Sequence, residues 1–82
     1  MPWKGESDCI VESQTVKRMQ ANNSLIEYVD FEASHFIDCS FLKSTFEKVN
    51  FKKCTFRGCN FSSVSFTQCG FWDSAFDDCK LI

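Results

Sequence analysis

Six cysteines and a single histidine are the residues of this 82-residue chain best suited to do chemistry. Metal sites favour close pairs such as Cys-x-x-Cys with histidine partners, whereas the shortest spacing between cysteines here is five residues. All six cysteines fall on one phase of a five-residue period that runs from Cys9 to Cys79. Free cysteine behaves as a small buried apolar residue. The spacing therefore predicts structural thiols, with no metal site and no cofactor.

His35 is the only histidine, and the sequence pattern places no nucleophile beside it. A nucleophilic active site needs a nucleophile, a base and an orienting group within hydrogen-bonding reach of one another. The three glycines, Gly5, Gly58 and Gly70, form no phosphate-binding loop. We therefore expect no catalytic residue and no enzymatic activity, and we expect His35 to be a solvated surface residue.

Length and composition further limit the kind of fold and the partners that the chain can have. A chain of this size forms one small domain, which needs an unusually regular core, disulfides, a metal or association to be stable. The net charge of −2 and the pI of about 5.2 give no general attraction to nucleic acid or anionic membranes. No apolar run approaches the ~20 residues that span a bilayer. The first residues lack the apolar segment of a secretory signal, so a cytoplasmic location is expected.

The dominant pattern in the chain is a period of five residues. All ten phenylalanines follow it, at positions 31, 36, 41, 46, 51, 56, 61, 66, 71 and 76, and Leu81 continues the series. Helices show apolar periods near 3.6 and strands near 2, so five fits neither. Two residues before each of these positions stands a small side chain: Val29, Ser34, Cys39, Ser44, Val49, Cys54, Cys59, Val64, Cys69, Ser74 and Cys79.

This pattern resembles the pentapeptide-repeat family, whose unit reads small residue, polar residue, Leu or Phe, then two polar residues. Asp30, Asn50 and Asn60 match the Asp or Asn that the family favours before the central residue, whereas His35 departs from it. The resemblance implies an all-β fold: a right-handed quadrilateral β-helix with four repeats, hence twenty residues, in each coil. About three to four coils are expected, with the small and central residues pointing inward.

In such a helix, residues twenty apart lie above one another at the ~4.8 Å spacing of neighbouring strands. The expected core columns are Phe31, Phe51 and Phe71; Phe36, Phe56 and Phe76; Phe41, Phe61 and Leu81; and Phe46 and Phe66. Cys39, Cys59 and Cys79 would form a column too, at a Cα separation that disulfides tolerate. Their side chains would run parallel to one another, which favours free thiols.

The period predicts three segments. Residues 29–82 form the repeat helix, and residues 9–28 form a degenerate first coil or N-terminal cap, because Val11, Val16, Ala21 and Ile26 keep the phase. A short helix over residues 15–22 is the alternative for part of this segment. Residues 1–8 are expected to be a flexible N-terminus.

Outward positions of the repeat supply candidate binding residues. Apolar side chains stand there at four positions where the repeat favours polar ones, and Trp is enriched among interface hot spots. The protein-binding candidates are Trp72, Ile37, Leu42, Ile82, Asp73, Asp77 and Asp78, and the basic band comprises Lys48, Lys52, Lys53 and Arg57. The alternatives are an ordinary mixed solubilising surface and a capping role for Trp72 over the last coil.

The last coil also predicts self-association. An uncovered coil end exposes backbone groups and aromatic core, which solenoids normally cover. We expect a two-fold homodimer through the C-terminal coil, with candidate interface residues Phe71, Trp72, Phe76, Leu81 and Ile82.

The Cys- and Phe-rich repeats look most like the quinolone-resistance, gyrase-binding branch of the family, which implies a protein target and partial DNA mimicry. Whole-surface mimicry over four coils would need on the order of ten net negative charges, whereas residues 29–82 carry seven acids and six bases. The leading hypothesis is a small bacterial or phage-encoded inhibitor in the (host) cytoplasm. It would occlude a topoisomerase, a nuclease or a CRISPR-type complex. The alternatives are a self-assembling scaffold and a weak direct nucleic-acid binder that uses the basic band.

Overall fold

The computed structural model describes residues 3–81 of the chain, and all of its regular elements there are short β-strands. In chain order these are β1 (Cys9–Glu12), β2 (Thr15–Lys17), β3 (Leu25–Glu27), β4 (Val29–Glu32), β5 (His35–Ile37), β6 (Thr45–Glu47), β7 (Asn50–Lys52), β8 (Thr55–Arg57), β9 (Ser65–Thr67), β10 (Gly70–Trp72) and β11 (Ala75–Asp77). Within the described residues, no helix is long and apolar enough to cross a membrane.

The strands wind into a four-sided solenoid. Face 1 is the parallel sheet β1-β4-β7-β10, face 2 is β2-β5-β8-β11, and face 4 is β3-β6-β9. Face 3 consists of single bridges that join Gln20, Ser40, Asn60 and Lys80. Every pairing is parallel and joins residues twenty apart, such as Val11 and Phe31. The predicted quadrilateral β-helix with twenty residues per coil is confirmed.

The axis is filled by stacked phenylalanine rings, as the columns predicted. Rings twenty residues apart lie nearly parallel, with centroids between 4.8 and 5.3 Å apart. Rings of neighbouring columns within a coil mostly meet edge to face, for example Phe51 and Phe56 at 5.2 Å. Both arrangements are favourable for aromatic quadrupoles. Each ring therefore contacts a ring of an adjacent coil and rings beside it, and the seven rings from Phe31 to Phe61 are 1–3% exposed.

The small residue of a repeat packs in the core and, where it is Ser or Cys, also donates a hydrogen bond to the backbone. Ser44 Oγ donates a hydrogen bond to the Ala21 carbonyl oxygen at 2.5 Å, and Cys59 Sγ donates to the Phe36 carbonyl oxygen at 3.4 Å. In both cases the acceptor belongs to the central residue of a repeat in the preceding coil. A thiol or hydroxyl at this position fills the corner and also satisfies a buried carbonyl, which would otherwise cost free energy.

The corner residue of each repeat, two after the central one, has a left-handed backbone. Its φ lies between 50° and 59° at fourteen non-glycine positions and at 65° in Gly58. This conformation costs roughly 1–2 kcal/mol for a residue with a Cβ. It lets the corner N–H reach a carbonyl of the next coil, as Lys53 N does with Trp72 O at 2.8 Å. The hydrogen bonds between coils thus offset the conformational cost of the corners.

The first coil pairs in register with the second through β1, β2 and β3. Residues 15–22, for which a helix was the alternative interpretation, contain β2 and a turn. Trp3 lies in the segment predicted to be flexible, yet its side chain is only 3% exposed. The prediction did not anticipate that contact, which places the indole 4.8 Å from the Phe31 ring and 6.1 Å from the Phe36 ring.

The position of Trp3 follows from the smaller central residues of the first coil. Where later coils have Phe, this coil has Val11, Val16, Ala21 and Ile26, which leave space on the axis. The indole fills that space. Trp3 N donates to Gln14 Oε1 at 2.7 Å, and Trp3 Nε1 donates to the Glu6 carbonyl oxygen at 2.8 Å. The chain from Glu6 to Trp3 therefore crosses the N-terminal end of the helix, and we call residues 3–6 the stopper.

Replacing Trp3 by alanine is expected to lower the free energy of unfolding by about 3–5 kcal/mol, because it leaves a cavity on the axis. Trp72→Ala is the matched control, since the Trp72 side chain is half exposed and lies outside the core; its cost should be clearly smaller. Urea denaturation followed by circular dichroism measures both values. Equal losses in the two variants would contradict the packing of Trp3.

The buried thiols predict a dependence of stability on pH. Burial raises the pKa of the Cys54 thiol, as it does that of Cys69. An unfolded thiol ionises near pH 8.5, so above that pH the folded state binds more protons than the unfolded state. The contribution of these thiols to the free energy of unfolding is therefore fully present below about pH 8.5. It decreases as the pH rises towards the folded-state pKa.

Cys54→Val tests this dependence, because Val29 and Val49 already occupy the same position of other repeats. The variant should lose less stability than the wild-type protein between about pH 8 and pH 10, since one buried thiol is missing. Urea denaturation across that range gives the two slopes. Identical slopes would show that Cys54 ionises equally well in the folded and unfolded states.

Candidate functional site: the C-terminal end of the helix

Four core residues of the last layer are partly exposed and form an apolar surface. Phe66, Phe71 and Phe76 are 37–40% exposed and Leu81 more so, whereas the rings directly before them in the columns, such as Phe51 and Phe56, are 1% exposed. Among the described residues no further coil covers this layer. We call Phe66, Phe71, Phe76 and Leu81 the end surface.

Trp72 stands at the edge of the end surface on the outer side of face 1. It is 50% exposed, and its ring packs against Gly70, where a Cβ atom would overlap the indole. Lys52 Nζ lies 5.8 Å from the ring centroid, within the range of a cation–π contact. The indole thus lies along the outer wall of the solenoid and does not fold over its end.

The acidic candidates border the same end. Asp73, Asp77 and Asp78 are exposed on the last coil, Asp77 at the end of β11 and the other two at corners. We call these three residues the acidic rim. In the preceding coil, Arg57 pairs in register with Asp77. The end surface therefore combines an apolar floor with a charged border, which is the usual composition of a protein interface.

The basic band occupies the wall next to the acidic rim. Lys52 and Arg57 lie on faces 1 and 2 of the third coil, and Lys53 is the corner between them. Lys48, at the preceding corner, lies over the ring of Tyr28 at 5.1 Å and donates to its hydroxyl at 3.2 Å. The four bases are exposed, but two of them contact aromatic rings and the others stand beside acids.

The remaining apolar candidates lie away from the end surface. Ile37 and Leu42 are half-buried on the second coil, on faces 2 and 3, and Ile82 lies outside the described residues. The sequence analysis passed over Ile10, Leu25 and Tyr28, which are exposed on the first coil. They occupy outward positions of the same period, which the sequence analysis extended back to Cys9 for the inward residues only, so the outward positions of that segment would have revealed them.

The residues that could do chemistry are not brought together. His35 is exposed on β5 between Thr15 and Thr55 of the adjacent coils. The six cysteines are free, and Cys39, Cys54 and Cys59 are buried. Over residues 3–81, no three His, Cys, Asp or Glu side chains are arranged to hold a metal ion. A shallow cavity of about 340 Å³ on face 1 is lined mainly by charged and polar side chains, Glu32 and Lys52 among them.

Comparison with known proteins agrees with this architecture. A protein-family model described as a pentapeptide repeat region matches residues 29–82. No match was found among curated proteins. The matched range covers well over half of the chain and contains the whole uninterrupted run of phenylalanines. The chain therefore belongs to the pentapeptide-repeat family.

Proposed function

We propose that this protein is a non-enzymatic binding protein that occludes a protein target through the end surface and Trp72. The observation that supports this most directly is the exposure of three aromatic rings and one leucine side by side, next to an exposed indole. Isolated exposed apolar residues are common on protein surfaces, whereas a contiguous apolar layer with a polar border marks an interaction site.

Fold and site chemistry support a binding role over catalysis. Pentapeptide-repeat solenoids are typically non-enzymatic binding or structural proteins, and this chain has the same regular core. His35, the one histidine, has threonines for register neighbours, and the most buried thiols lie inside the solenoid. Burial raises the pKa of the Cys54 thiol, whereas the hydrogen bond between the Cys39 and Cys59 thiols lowers the pKa of Cys39 to about 7 and raises that of Cys59. All three thiols are 1–2% exposed, so they are closed to a substrate.

The distribution of charge favours apolar docking over DNA mimicry as the main source of affinity. Two of the three acids in the rim have a base twenty residues earlier in the chain, namely Lys53 below Asp73 and Arg57 below Asp77. These bases weaken the negative potential that would imitate phosphates. In the proposed complex, Trp72 and the end surface provide the affinity. The acidic rim orients the partner, and any DNA mimicry is local.

The target class is proposed from the family resemblance: a topoisomerase, a nuclease or a CRISPR-type complex, met in the cytoplasm of a bacterium or of a phage host. Direct nucleic-acid binding ranks lower, because acids of the adjacent coils flank the basic band and two of its four members contact aromatic rings. A self-assembling scaffold is the structural alternative, since a second copy could also cover the end surface.

Affinity capture from nuclease-treated bacterial lysate, followed by mass spectrometry, is expected to recover a nucleic-acid-acting enzyme or a defence-complex subunit in stoichiometric amount. Trp72→Ala should weaken binding to that protein by about tenfold or more, because a hot-spot aromatic side chain is removed. Tyr28→Ala is the matched control: Tyr28 is an equally exposed aromatic residue on the first coil, and its loss should leave the affinity unchanged.

The same complex separates apolar docking from mimicry. Replacing Asp73, Asp77 and Asp78 together by asparagine should cost less affinity than Trp72→Ala and should reduce the dependence of binding on salt between about 50 and 500 mM. Binding that tolerates Trp72→Ala and disappears in the triple variant would instead establish mimicry as the main interaction. Recovery of the protein alone would favour the scaffold.

A two-fold homodimer through the C-terminal coil is proposed as an alternative occupant of the end surface, which would compete with target binding, and it can be measured in the absence of any target. Sedimentation velocity at micromolar concentration should show a dimer, and Phe76→Lys should convert it to a monomer by placing a charge in the apolar layer. Ile10→Lys is the control, because Ile10 is an exposed apolar residue of the first coil. A wild-type protein that is strictly monomeric would contradict the dimer.

A further inference from the structure

The two ends of the solenoid differ in whether other residues cover the core. At the C-terminal end the layer of Phe66, Phe71, Phe76 and Leu81 is open among the described residues. At the N-terminal end the stopper crosses the axis, held by Gln14 and by the packing of Trp3 against Phe31. The closed end is the N-terminal one, where the central residues of the repeats are smaller than Phe. The Trp3 indole fills the space that these smaller side chains leave on the axis.

Both ends follow the same twenty-residue register. Ser7 and Asp8 already lie on face 4: Ser7 Oγ accepts a hydrogen bond from Glu27 N at 3.0 Å, and Asp8 N donates to the Glu27 carbonyl oxygen at 2.9 Å. These residues continue the columns of face 4 by one coil. The last coil of the described chain has faces 1, 2 and 3 but no strand on face 4 above β9.

A second copy shifted by four coils, or eighty residues, would continue this register. Its first coil would stack on β10, β11 and the Lys80 bridge. Its residues 5–8 would fall on face 4 above β9, where the described residues of the first copy have no further strand. The C-terminal end of one copy thus matches the N-terminal end of another in backbone register. Val11, Val16 and Ala21 of the second copy would cover three of the four columns of the end surface, whereas Glu6 falls above Phe66. Only the stopper stands in the way, because it crosses the end where the second copy would dock.

We infer that the stopper closes a latent head-to-tail polymerisation face, and that its displacement lets copies of this chain stack into a continuous β-helix. A head-to-tail contact that does not close into a ring gives an open filament, and copies stacked along the solenoid axis do not close. Parallel strand edges are efficient templates for such growth. In the wild-type protein the stopper leaves only the C-terminal end available for association.

Trp3→Asn tests the inference in the full-length chain. In the shifted register position 3 falls on the corner column of Asn23, Lys43 and Ser63, where Asn tolerates the left-handed backbone, whereas a buried Asn on the axis would lack partners. Trp3→Asn combined with Ala21→Phe keeps the axis filled, because it adds a ring to the column of Phe41. Trp72→Asn is the matched control that makes the same exchange outside the core.

Negative-stain electron microscopy and sedimentation velocity provide the measurement. Both Trp3 variants should form unbranched rods about as wide as the solenoid, whereas the wild-type protein and Trp72→Asn should not. Each copy adds roughly 19 Å of length at the strand spacing. Adding Phe76→Lys to Trp3→Asn/Ala21→Phe should abolish the rods and leave the circular dichroism spectrum unchanged.

The wild-type protein itself supplies the most specific test. Its open C-terminal end can dock on an unplugged N-terminal end, but its own stopper then blocks further growth. Roughly one wild-type copy per ten variant copies should therefore shorten the rods markedly, as expected for a capping unit. Trp3 variants that fold and keep the wild-type size would overturn the inference. Rods whose length does not change when wild-type protein is added would also overturn it. Loss of the folded structure in both Trp3 variants would overturn it as well, because the inference requires the coils to stay folded without the stopper.

Discussion

The structure depends on one constraint: the central ring of each repeat can be buried only by the rings of neighbouring repeats and coils. Centroid separations of 4.8–5.3 Å along the columns match the spacing of the parallel strands that carry them. Ring stacking and backbone pairing therefore demand the same geometry, and neither has to be distorted for the other. The cost of the left-handed corners is offset in the same way, by hydrogen bonds that each corner makes to the adjacent coil.

Stacking of this kind leaves a terminal layer of core side chains at each end of the solenoid. The two ends differ in how that layer is covered. At the N-terminal end the central residues become smaller and Trp3 enters the axis, so that the last aromatic contacts are made within the chain. At the other end the described residues leave three rings and a leucine partly exposed. The proposed docking surface and the proposed stopper both rest on this difference between the two ends.

The outer wall is where this chain can differ from any other solenoid of its family without disturbing the core. Three of every five residues point outward, and their identities are not constrained by stacking. In the third and fourth coils they place Lys52 beneath Trp72 and Arg57 beneath Asp77. Such neighbours reduce both the basic and the acidic potential, which leaves the apolar end and the indole as the features that distinguish the surface.

The sequence by itself determined the fold, the coil length, the core columns and the inward phase of the cysteines. The inward phase of the cysteines follows from the period of five, whereas the quadrilateral fold, the twenty-residue coil and hence the core columns follow from the family resemblance that this period carries. It also placed Trp72 and the acidic rim on the outside of the last coil. It did not reveal that Trp3 lies on the axis, because that contact joins residue 3 to Phe31 and Phe36 and obeys no period. Nor did it reveal that Trp72 packs against Gly70, or that the Lys48 ammonium lies over the Tyr28 ring. Those arrangements were decided by the tertiary structure, since packing at the ends and on the outer wall depends on which side chains meet in space and not on their spacing along the chain.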